Sequence, residues 1–252
     1  MTRGILIAGD RSSLFSALCT EAAKRVEQYA VAFIPRDQTQ EALQTRPATS
    51  LHSQETIRSN KAIHPSDALH VNEAGANRQL VLEWNPPSPV SAKTLVLSAL
   101  NKMDHIDDAI LVCVPPAYRK APEDFSAAEI DSLIDCTIKG WFFLVRELTA
   151  AFRARKGGTL SLVLPELTAG FANKVGGDEK PDFIGPAAAA AFRSFAQGIL
   201  LSSHNAPYNA MGFSLPEPGE ENAFAAYVFK TMEDGRRNSG KWHKYGKFGF
   251  FR

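Results

Sequence analysis

An arginine and two serines follow a short apolar run, in a pattern that can bind anions. Residues 5–8 form the run, and Gly9 then permits a sharp turn of the chain. Ser12 or Ser13 can cap a helix that begins there, and Arg11 adds a positive charge. The free N–H groups of a helix N-terminus attract negative ligands. We therefore predict Gly9, Arg11 and Ser12 as binding residues.

Three more side chains could act as acids or bases. Glu166 follows a predicted strand, and His204 and Tyr208 follow a long predicted helix. A solvated carboxylate at Glu166, and surface or packing roles at His204 and Tyr208, also fit the pattern. The sequence contains no Gly-x-Ser-x-Gly, Gly-x-x-x-x-Gly-Lys, Cys-x-x-Cys or His-Glu-x-x-His motif. We assign no catalytic residue.

We also predict no metal site. Residues 38–78 are polar and contain three of the six histidines, but the spacing of these side chains fits no compact ligand motif. We expect solvated loop residues there. The side chains concerned are His52, His64, Asp67, His70 and Glu73.

Composition indicates a soluble, cytoplasmic protein. The net charge is +1, so no overall field favours nucleic acid or an anionic membrane. The cysteines Cys19, Cys113 and Cys136 are odd in number and far apart, which favours buried free thiols in a reducing compartment. We see no signal-peptide pattern and no apolar run approaching the roughly 20 residues that span a bilayer.

Short apolar strands alternate with helical patterns along the 252 residues. This alternation predicts one α/β domain, residues 1–252, with a Rossmann-like, doubly wound parallel sheet. Residues 38–78 form a polar excursion from it. The predicted strands are residues 5–8, 29–34, 80–83, 109–114, 159–164 and 210–215. The predicted helices are residues 13–28, 91–101, 126–138, 141–155, 186–203 and 220–233.

The order of these pieces resembles the short-chain dehydrogenase/reductase superfamily. The run from Ile130 to Phe142 is similar to the family's central helix, and residues 157–163 resemble the strand that leads to its catalytic serine. Residues 187–196 look like the helix that normally carries its catalytic lysine. The resemblance implies an oxidoreductase fold that binds NAD or NADP.

The glycine-rich turn of that family is mostly missing. The family's Thr-Gly-x-x-x-Gly-x-Gly turn matches residues 8–15, where Gly9 alone remains of the glycines. Ser13 replaces the glycine that lets the backbone approach the pyrophosphate, and Phe15 replaces the last one. Arg36 stands where the family selects between cofactors and would favour a 2′-phosphate. We favour the alternative that Arg36 is an exposed arginine at a strand end.

The family's catalytic residues are also absent. Its serine falls on Pro165, and its Tyr-x-x-x-Lys pair falls on Gly185 and Ala189. No tyrosine in the chain is followed by lysine four residues later. The family's Asn-Asn-Ala-Gly is matched by residues 113–116, and the asparagine of its central helix by Thr137. The usual proton donor, and the ammonium that lowers its pKa, are therefore missing.

The resemblance also implies assembly. Residues 141–155 and 186–203 match the helices of the family's usual dimer, so we expect a homodimer or homotetramer, or a hetero-oligomer with an active relative. A helix buried in the monomer would explain the same pattern. The residues that could mark an apolar face are Phe142, Val145, Leu148 and Phe152.

The C-terminal tail, residues 236–252, is basic and aromatic and carries no acid. Such a tail can bind a polyanion such as single-stranded nucleic acid. We favour the alternative that it packs against a neighbouring subunit, because aromatic residues suit interfaces.

The sequence leaves three hypotheses for the function. The leading one is a catalytically degenerate homologue with an assembly, partner or ligand-sensing role, whose crevice is filled by Phe15 and its neighbours. The second is an oxidoreductase that uses NAD or NADP in an open crevice, with Glu166, His204 or Tyr208 pointing inward. The third is polyanion binding through the tail. The cofactor is unassigned, because NAD or NADP fits only an open pocket.

Overall fold

The computed structural model describes residues 3–26, 28–34, 78–116, 120–166, 182–216 and 218–246. These residues contain a seven-stranded, wholly parallel sheet in the order β3-β2-β1-β4-β5-β6-β7. The predicted doubly wound sheet is confirmed. The strands are β1 (Gly4–Gly9), β2 (Gln28–Phe33), β3 (Arg78–Glu83), β4 (Asp108–Val112), β5 (Thr159–Pro165), β6 (Asn209–Leu215) and β7 (Lys241–Lys244).

The helices cover both faces of this sheet. In chain order they are α1 (Ser13–Arg25), α2 (Pro89–Met103), α3 (Ala127–Ile134), α4 (Gly140–Arg155), α5 (Ile184–Ser203), α6 (Glu221–Glu233) and α7 (Gly235–Asn238). A single turn of 3₁₀-helix spans Pro122–Asp124. Residues 35–77, which include Arg36 and nearly all of the predicted excursion, lie outside the described residues.

The core forms two layers because β1 and β4 are buried on both faces. Leu6 and Ala8 belong to the cluster under α2, α4 and α5. Ile5 and Ile7 belong to the cluster under α1 and α6. Each fully buried Leu or Ile stabilises the fold by ~1.5–3 kcal/mol relative to an exposed one. The strands are therefore continuous apolar runs, as the sequence predicted.

Two sequence expectations need correction: the separation of helices 126–138 and 141–155 at Gly140, and the absence of a strand from the tail. Gly140 does not separate two helices, because α3 continues through a π-helical turn (Asp135–Lys139) into α4. A Cβ at Gly140 would lie 2.5 Å from the Pro86 Cβ, so glycine lets the helix pass close to Pro86. The tail also contains β7, which pairs with β6. Trp242 of β7 packs over Gly212, where a Cβ would lie 2.1 Å from the indole ring.

Helix α5 also differs from the sequence expectation. Its 20 residues are long and apolar enough to cross a membrane by length and composition alone, so the expectation that the chain has no such run is wrong. However, Ala188, Phe192 and Ala196 are buried in the core cluster beside the sheet. This inward face is what a core helix of an α/β sheet requires.

The three cysteines are free, as predicted. Cys113 is buried, whereas Cys19 and Cys136 are half-buried rather than fully buried. Burial raises the pKa of the Cys19 thiol to about 12. This thiol is therefore protonated and unreactive near neutral pH.

Acidification should loosen the start of α3. A capping box is present at this helix start: Ser126 Oγ accepts the Glu129 N–H, and the Glu129 carboxylate accepts the Ser126 N–H. The Lys120 ammonium and these Ser126 donors lower the pKa of Glu129 from 4.5 to about 2. Because the folded pKa is depressed, the carboxylate's contribution is complete above about pH 4.5 and is lost as pH falls toward 2.

Hydrogen exchange of the Ser126 amide, measured between pH 5 and 2 and corrected for intrinsic rates, tests this prediction. Protection should fall with pH in the wild type, and the fall should be much smaller in Glu129→Gln, which keeps a side-chain acceptor without the charge. Equal pH dependence in both proteins would contradict the assignment.

Two buried serines on neighbouring strands should respond oppositely to alanine. Ser161 and Ser214 are both 0% exposed. The Ser161 hydroxyl has no hydrogen-bond partner among the described residues. The Ser214 hydroxyl donates to Glu166 and accepts from the Trp242 indole N–H, each at 3.1 Å. Ser214→Ala should lower the free energy of unfolding by about 1–3 kcal/mol, because both partners lose a bond.

Ser161→Ala should leave the free energy of unfolding unchanged or raise it by up to about 1 kcal/mol, because a buried unbonded hydroxyl is removed. Urea denaturation of both variants provides the comparison. A larger loss for Ser161→Ala than for Ser214→Ala would refute this account of the core.

Candidate functional site

The candidate site is a crevice where the strand order reverses between β1 and β4. Helix α1 covers one face of the sheet and α2 the other, so the connections diverge at this point. Gly9 and Val112 are paired at the carboxyl ends of the two strands. Ligands of doubly wound sheets bind beside such a switch point. We call this place the β1–β4 crevice; its walls are residues 10–13 and 113–116.

Gly9 allows the two strands to approach closely. A Cβ at this position would lie 2.2 Å from the carbonyl oxygen of Val112. Ile34 also donates its N–H to the Gly9 carbonyl at 3.2 Å. The retained glycine is therefore required by packing alone, and its predicted role in binding stays a prediction.

Ser12 is the N-cap of α1. Its hydroxyl accepts the Phe15 N–H at 3.1 Å, which resolves the choice between Ser12 and Ser13. The Ser13 hydroxyl instead donates to a carboxylate oxygen of Glu221 at 3.1 Å. Both hydroxyl groups at this helix N-terminus therefore have partners within the protein.

Arg11 is exposed and stacks at the end of β2. Its guanidinium carbon lies 4.3 Å from the centre of the Phe33 ring. Phe15, which is 2% exposed, packs on the same ring at 4.9 Å. The structure thus brings Gly9, Arg11 and Ser12 together, whereas Arg36 lies outside the described residues.

Two carboxylates border the N-terminus of α1. Asp10 accepts the Val114 N–H at 3.3 Å. The backbone N–H groups of Glu221 itself and Gly219 lower the pKa of the Glu221 carboxyl, so this group is ionised near neutral pH. The helix N-terminus attracts anions, but an ionised carboxylate beside it, that of Glu221, repels a phosphate. Glu221 follows Ser13 by 208 residues, so no local sequence pattern could reveal this contact.

Large aromatic side chains on the α2 side of the sheet pack beside Cys113, which follows β4. Trp84, which follows β3, and Trp141, at the start of α4, are each 1% exposed and pack with ring centres 5.1 Å apart. Phe192 of α5 lies 5.4 Å from Trp141. Burial raises the pKa of the Cys113 thiol, which hydrogen-bonds to Trp141. The sequence gave no local signal for the contact between these two tryptophans, and a crevice filled by Phe15 stays a prediction.

The position that the resemblance gives to the catalytic tyrosine has no room for a side chain. A Cβ on Gly185 would lie 2.7 Å from the Pro116 carbonyl oxygen and 2.5 Å from Asp182 Oδ2. Asp182 accepts the N–H groups of Ile184 and Gly185, each at 3.0 Å, and so caps the start of α5. The loop after β4 therefore packs directly against α5.

The positions that the resemblance gives to the catalytic serine and to the asparagine of the central helix hold no free polar group. Pro165, at the serine position, is the last residue of β5 and has no hydroxyl. Thr137, at the asparagine position, is buried in the π-helical turn, and its hydroxyl donates to the Leu133 carbonyl at 2.6 Å. The helix itself satisfies this hydroxyl.

Glu166 is held by an ion-pair cluster at the carboxyl ends of β5, β6 and β7. One carboxylate oxygen lies 3.1 Å from the Lys244 ammonium and 3.7 Å from the Arg193 guanidinium, and it accepts the Ser214 hydroxyl. Burial favours the neutral acid, but Lys244 and Ser214 lower the pKa of Glu166 below its ordinary value. Glu166 is therefore neither a solvated loop carboxylate nor a base suited to neutral pH.

His204 and Tyr208 lie at the wrong edge of the sheet. Helix α5 runs from the carboxyl ends of the strands to their amino ends, and His204 caps its last turn with a contact to the Leu201 carbonyl at 3.1 Å. Tyr208 directly precedes β6 and is 4% exposed. The expectation that either side chain points into the crevice is wrong, because both lie a full strand length away.

The proposed interface residues divide between core and surface. Val145, Leu148 and Phe152 are buried inside the monomer at 3%, 0% and 1% exposure, so packing explains them. Phe142 is 54% exposed and contacts Phe195 with ring centres 4.3 Å apart. In the tail, residues 247–252 lie outside the described residues.

Among the described residues, no group of three or more histidine, cysteine, aspartate or glutamate side chains could hold a metal ion.

No family model and no curated protein matches this chain. Solved structures do match. A short-chain type dehydrogenase/reductase from Mycobacterium marinum aligns with 96% of this chain and 92% of its own, at 13% identity and a TM-score of 0.66. An NADH-dependent reductase complexed with NAD aligns with 96% and 94%, at 14% identity and a TM-score of 0.63.

An acetoin dehydrogenase from Salmonella typhimurium aligns with 97% of this chain and 95% of its own, at 12% identity and a TM-score of 0.62. These alignments cover nearly the full length of each chain, and the shared feature is the order and arrangement of strands and helices. The protein therefore has the Rossmann-like α/β fold of the short-chain dehydrogenases/reductases.

Proposed function

We propose that this protein does not perform standard short-chain dehydrogenase chemistry and that its fold serves assembly with another protein chain. The contact between Gly185 and the Pro116 carbonyl carries the proposal. It removes the space for a tyrosine side chain at the position where the resemblance requires the proton donor. Without that donor the usual proton transfer has no agent.

The cofactor side of the crevice supports the same conclusion. A dinucleotide's pyrophosphate would meet the Asp10 and Glu221 carboxylates at the N-terminus of α1. Ser13 also stands where a glycine would let the backbone approach the phosphates. These features favour a crevice that binds NAD or NADP weakly or not at all.

No replacement acid or base takes over the role within the described residues at this crevice. The negative charge of Glu166 is paired with Lys244 and Arg193. His204 and Tyr208 lie at the opposite edge of the sheet. This arrangement argues against the alternative of an oxidoreductase with non-standard catalytic groups.

Assembly is supported by the distribution of exposed apolar side chains. Seven large hydrophobic residues are notably exposed in the described part of the chain, and five of them belong to α3, α4 and α5 or directly precede α5. Exposed apolar side chains are typical of interaction surfaces where they form a patch, as Phe142 does beside Phe195. The five are Ile130, Ile134, Phe142, Phe183 and Leu201.

Calorimetric titration with NADPH, and separately NADH, tests the closed crevice. We expect no heat of binding and no thermal stabilisation at about millimolar cofactor, because a ligand that binds only the folded state must stabilise it. Binding at about micromolar Kd would overturn the proposal and favour the oxidoreductase alternative.

A pair of glycines in α5 tests the crowded position directly. Gly185→Ala should lower the free energy of unfolding by about 1–3 kcal/mol, because the new Cβ overlaps a backbone carbonyl. Gly198 lies in the same helix, and a Cβ added there would meet no atom within 4 Å. Gly198→Ala should therefore raise the free energy of unfolding by about 0.5–1 kcal/mol. Urea unfolding measures the stability of both variants. A Gly185→Ala variant as stable as Gly198→Ala would contradict the crowding at residue 185.

A further inference from the structure

Five cations lie at the amino edge of the sheet, where β5, β6 and β7 begin. Thr159 at the start of β5 pairs with Asn209 at the start of β6. Lys241, the first residue of β7, pairs with Met211 of β6. Helices α4, α5 and α7 each end shortly before one of these strands, so their last turns meet at the same edge. We call this surface the basic rim. Its cations are all exposed, and they are Arg153, Lys156, Arg236, Arg237 and Lys241.

Direct contacts connect the parts of the basic rim. The guanidinium carbon of Arg153 lies 5.6 Å from the centre of the Tyr208 ring, and Tyr208 directly precedes β6. The Lys241 ammonium donates to the Arg237 carbonyl at 2.8 Å. Because neighbouring strands are ~4.8 Å apart, the start of β5 is about 10 Å from the start of β7. This distance is about one Debye length at 0.1 M salt, so the cations act together on a charged surface.

The charge of the basic rim is not balanced within the described residues. None of its five cations forms an ion pair there, whereas the nearby Arg155 is paired with Asp107. Asp234 is the exposed acid at the border of the rim. The whole chain carries a net charge of only +1, so the positive charge is concentrated locally. No acid occurs in the segments that form this edge, which are residues 153–157, 201–209 and 235–241.

Helix capping accounts for only part of the basic rim. A cation in the last turn of a helix is stabilised by the helix dipole, which explains Arg153 and Arg237. Lys156 lies beyond α4 with φ 58°, in the left-handed region that favours glycine, although Gly157 is the next residue. Lys241 belongs to a strand. A structural role requires a cation at neither of these two positions.

An exposed leucine lies beside these charges. Leu201, in the last turn of α5, is 72% exposed. Its carbonyl contacts the His204 ring at 3.1 Å, and a Cβ on Gly240 would lie 2.6 Å from that ring. This turn of α5 is therefore next to the start of β7. Surface cations around an exposed apolar side chain suit the interface of an anionic bilayer, which offers both negative headgroups and apolar chains.

The aromatic side chains near the basic rim are turned inward. Tyr208 is buried, and Trp242 packs over Gly212 and donates its indole N–H to the Ser214 hydroxyl. Proteins that bind single-stranded nucleic acid stack its bases on exposed aromatic rings. The described part of the rim offers no such ring, so its chemistry favours lipid phosphates over nucleic acid.

We propose that the basic rim docks this protein on an anionic membrane surface, with its five cations at the lipid headgroups and Leu201 at the boundary of the acyl chains. The binding is peripheral, because Phe192 and Ala196 hold α5 in the core. Each lysine or arginine near an anionic surface strengthens such binding by about fivefold. The proposal is independent of the closed crevice, which lies at the opposite edge of the sheet.

Sedimentation with sucrose-loaded vesicles tests the docking. At about 0.1 M salt, the full-length protein should bind vesicles of phosphatidylcholine with about 30 mol% phosphatidylserine, and it should not bind vesicles of phosphatidylcholine alone. Binding should disappear at about 0.5 M salt, because the attraction is screened. No binding to the anionic vesicles, or equal binding to both kinds, would overturn the proposal.

Substitutions in the basic rim test which residues contact the membrane. Arg236→Gln combined with Arg237→Gln should lower the partition coefficient about 25-fold, which is about fivefold for each lost charge. Leu201→Ala should lower it about fivefold, because less apolar area enters the bilayer. Lys156→Gly should also lower it about fivefold while leaving the thermal unfolding midpoint unchanged or higher, because glycine adopts the left-handed conformation readily. Lost binding without lost stability distinguishes membrane contact from a structural role.

Helix α2 provides matched controls. Lys93 is exposed and Leu97 is 48% exposed, and α2 packs beside β2 and β3 in the other half of the sheet. Lys93→Gln and Leu97→Ala should therefore bind the anionic vesicles within about twofold of the wild type. Equal losses in the rim and control variants would overturn the assignment. Tighter binding to a single-stranded oligonucleotide than to the vesicles, unaffected by Leu201→Ala, would overturn it in favour of nucleic acid.

Discussion

Burial of β1 and β4 on both faces is the constraint on which the rest of this structure depends. Their side chains point alternately into two separate apolar clusters, so helices must cover each side of the sheet. The connections then diverge between the two strands, and their carboxyl ends meet at Gly9 and Val112. The position of the crevice therefore follows from how the core is buried, whatever chemistry the crevice performs.

Close packing surrounds that crevice. Pro116 and Gly185 bring a loop and a helix into contact, and Trp141 packs on Trp84 and hydrogen-bonds the Cys113 thiol. These are buried apolar and backbone contacts, whereas a binding site needs open space and unpaired polar groups. Glu166 is likewise held within the protein, by Lys244 of β7.

The sequence predicts what depends on neighbours along the chain. The apolar run 5–8, the Ser12 cap and the Ser126–Glu129 capping box are local patterns, and each is present. The sequence does not predict which edge of the sheet a residue faces or which distant group it meets. His204 lies at the amino edge because the 20 residues of α5 make about five and a half turns. Ser13 meets Glu221 only through the packing of α1 against α6.

The contact between Pro116 and Gly185 also limits which substitutions the fold tolerates. A side chain introduced at residue 185 would overlap the Pro116 carbonyl, so it would reduce the stability of the fold. A change that moved the loop away would uncover the start of α5. The two positions are therefore constrained together, and a larger residue at 185 requires a compensating change in the loop after β4.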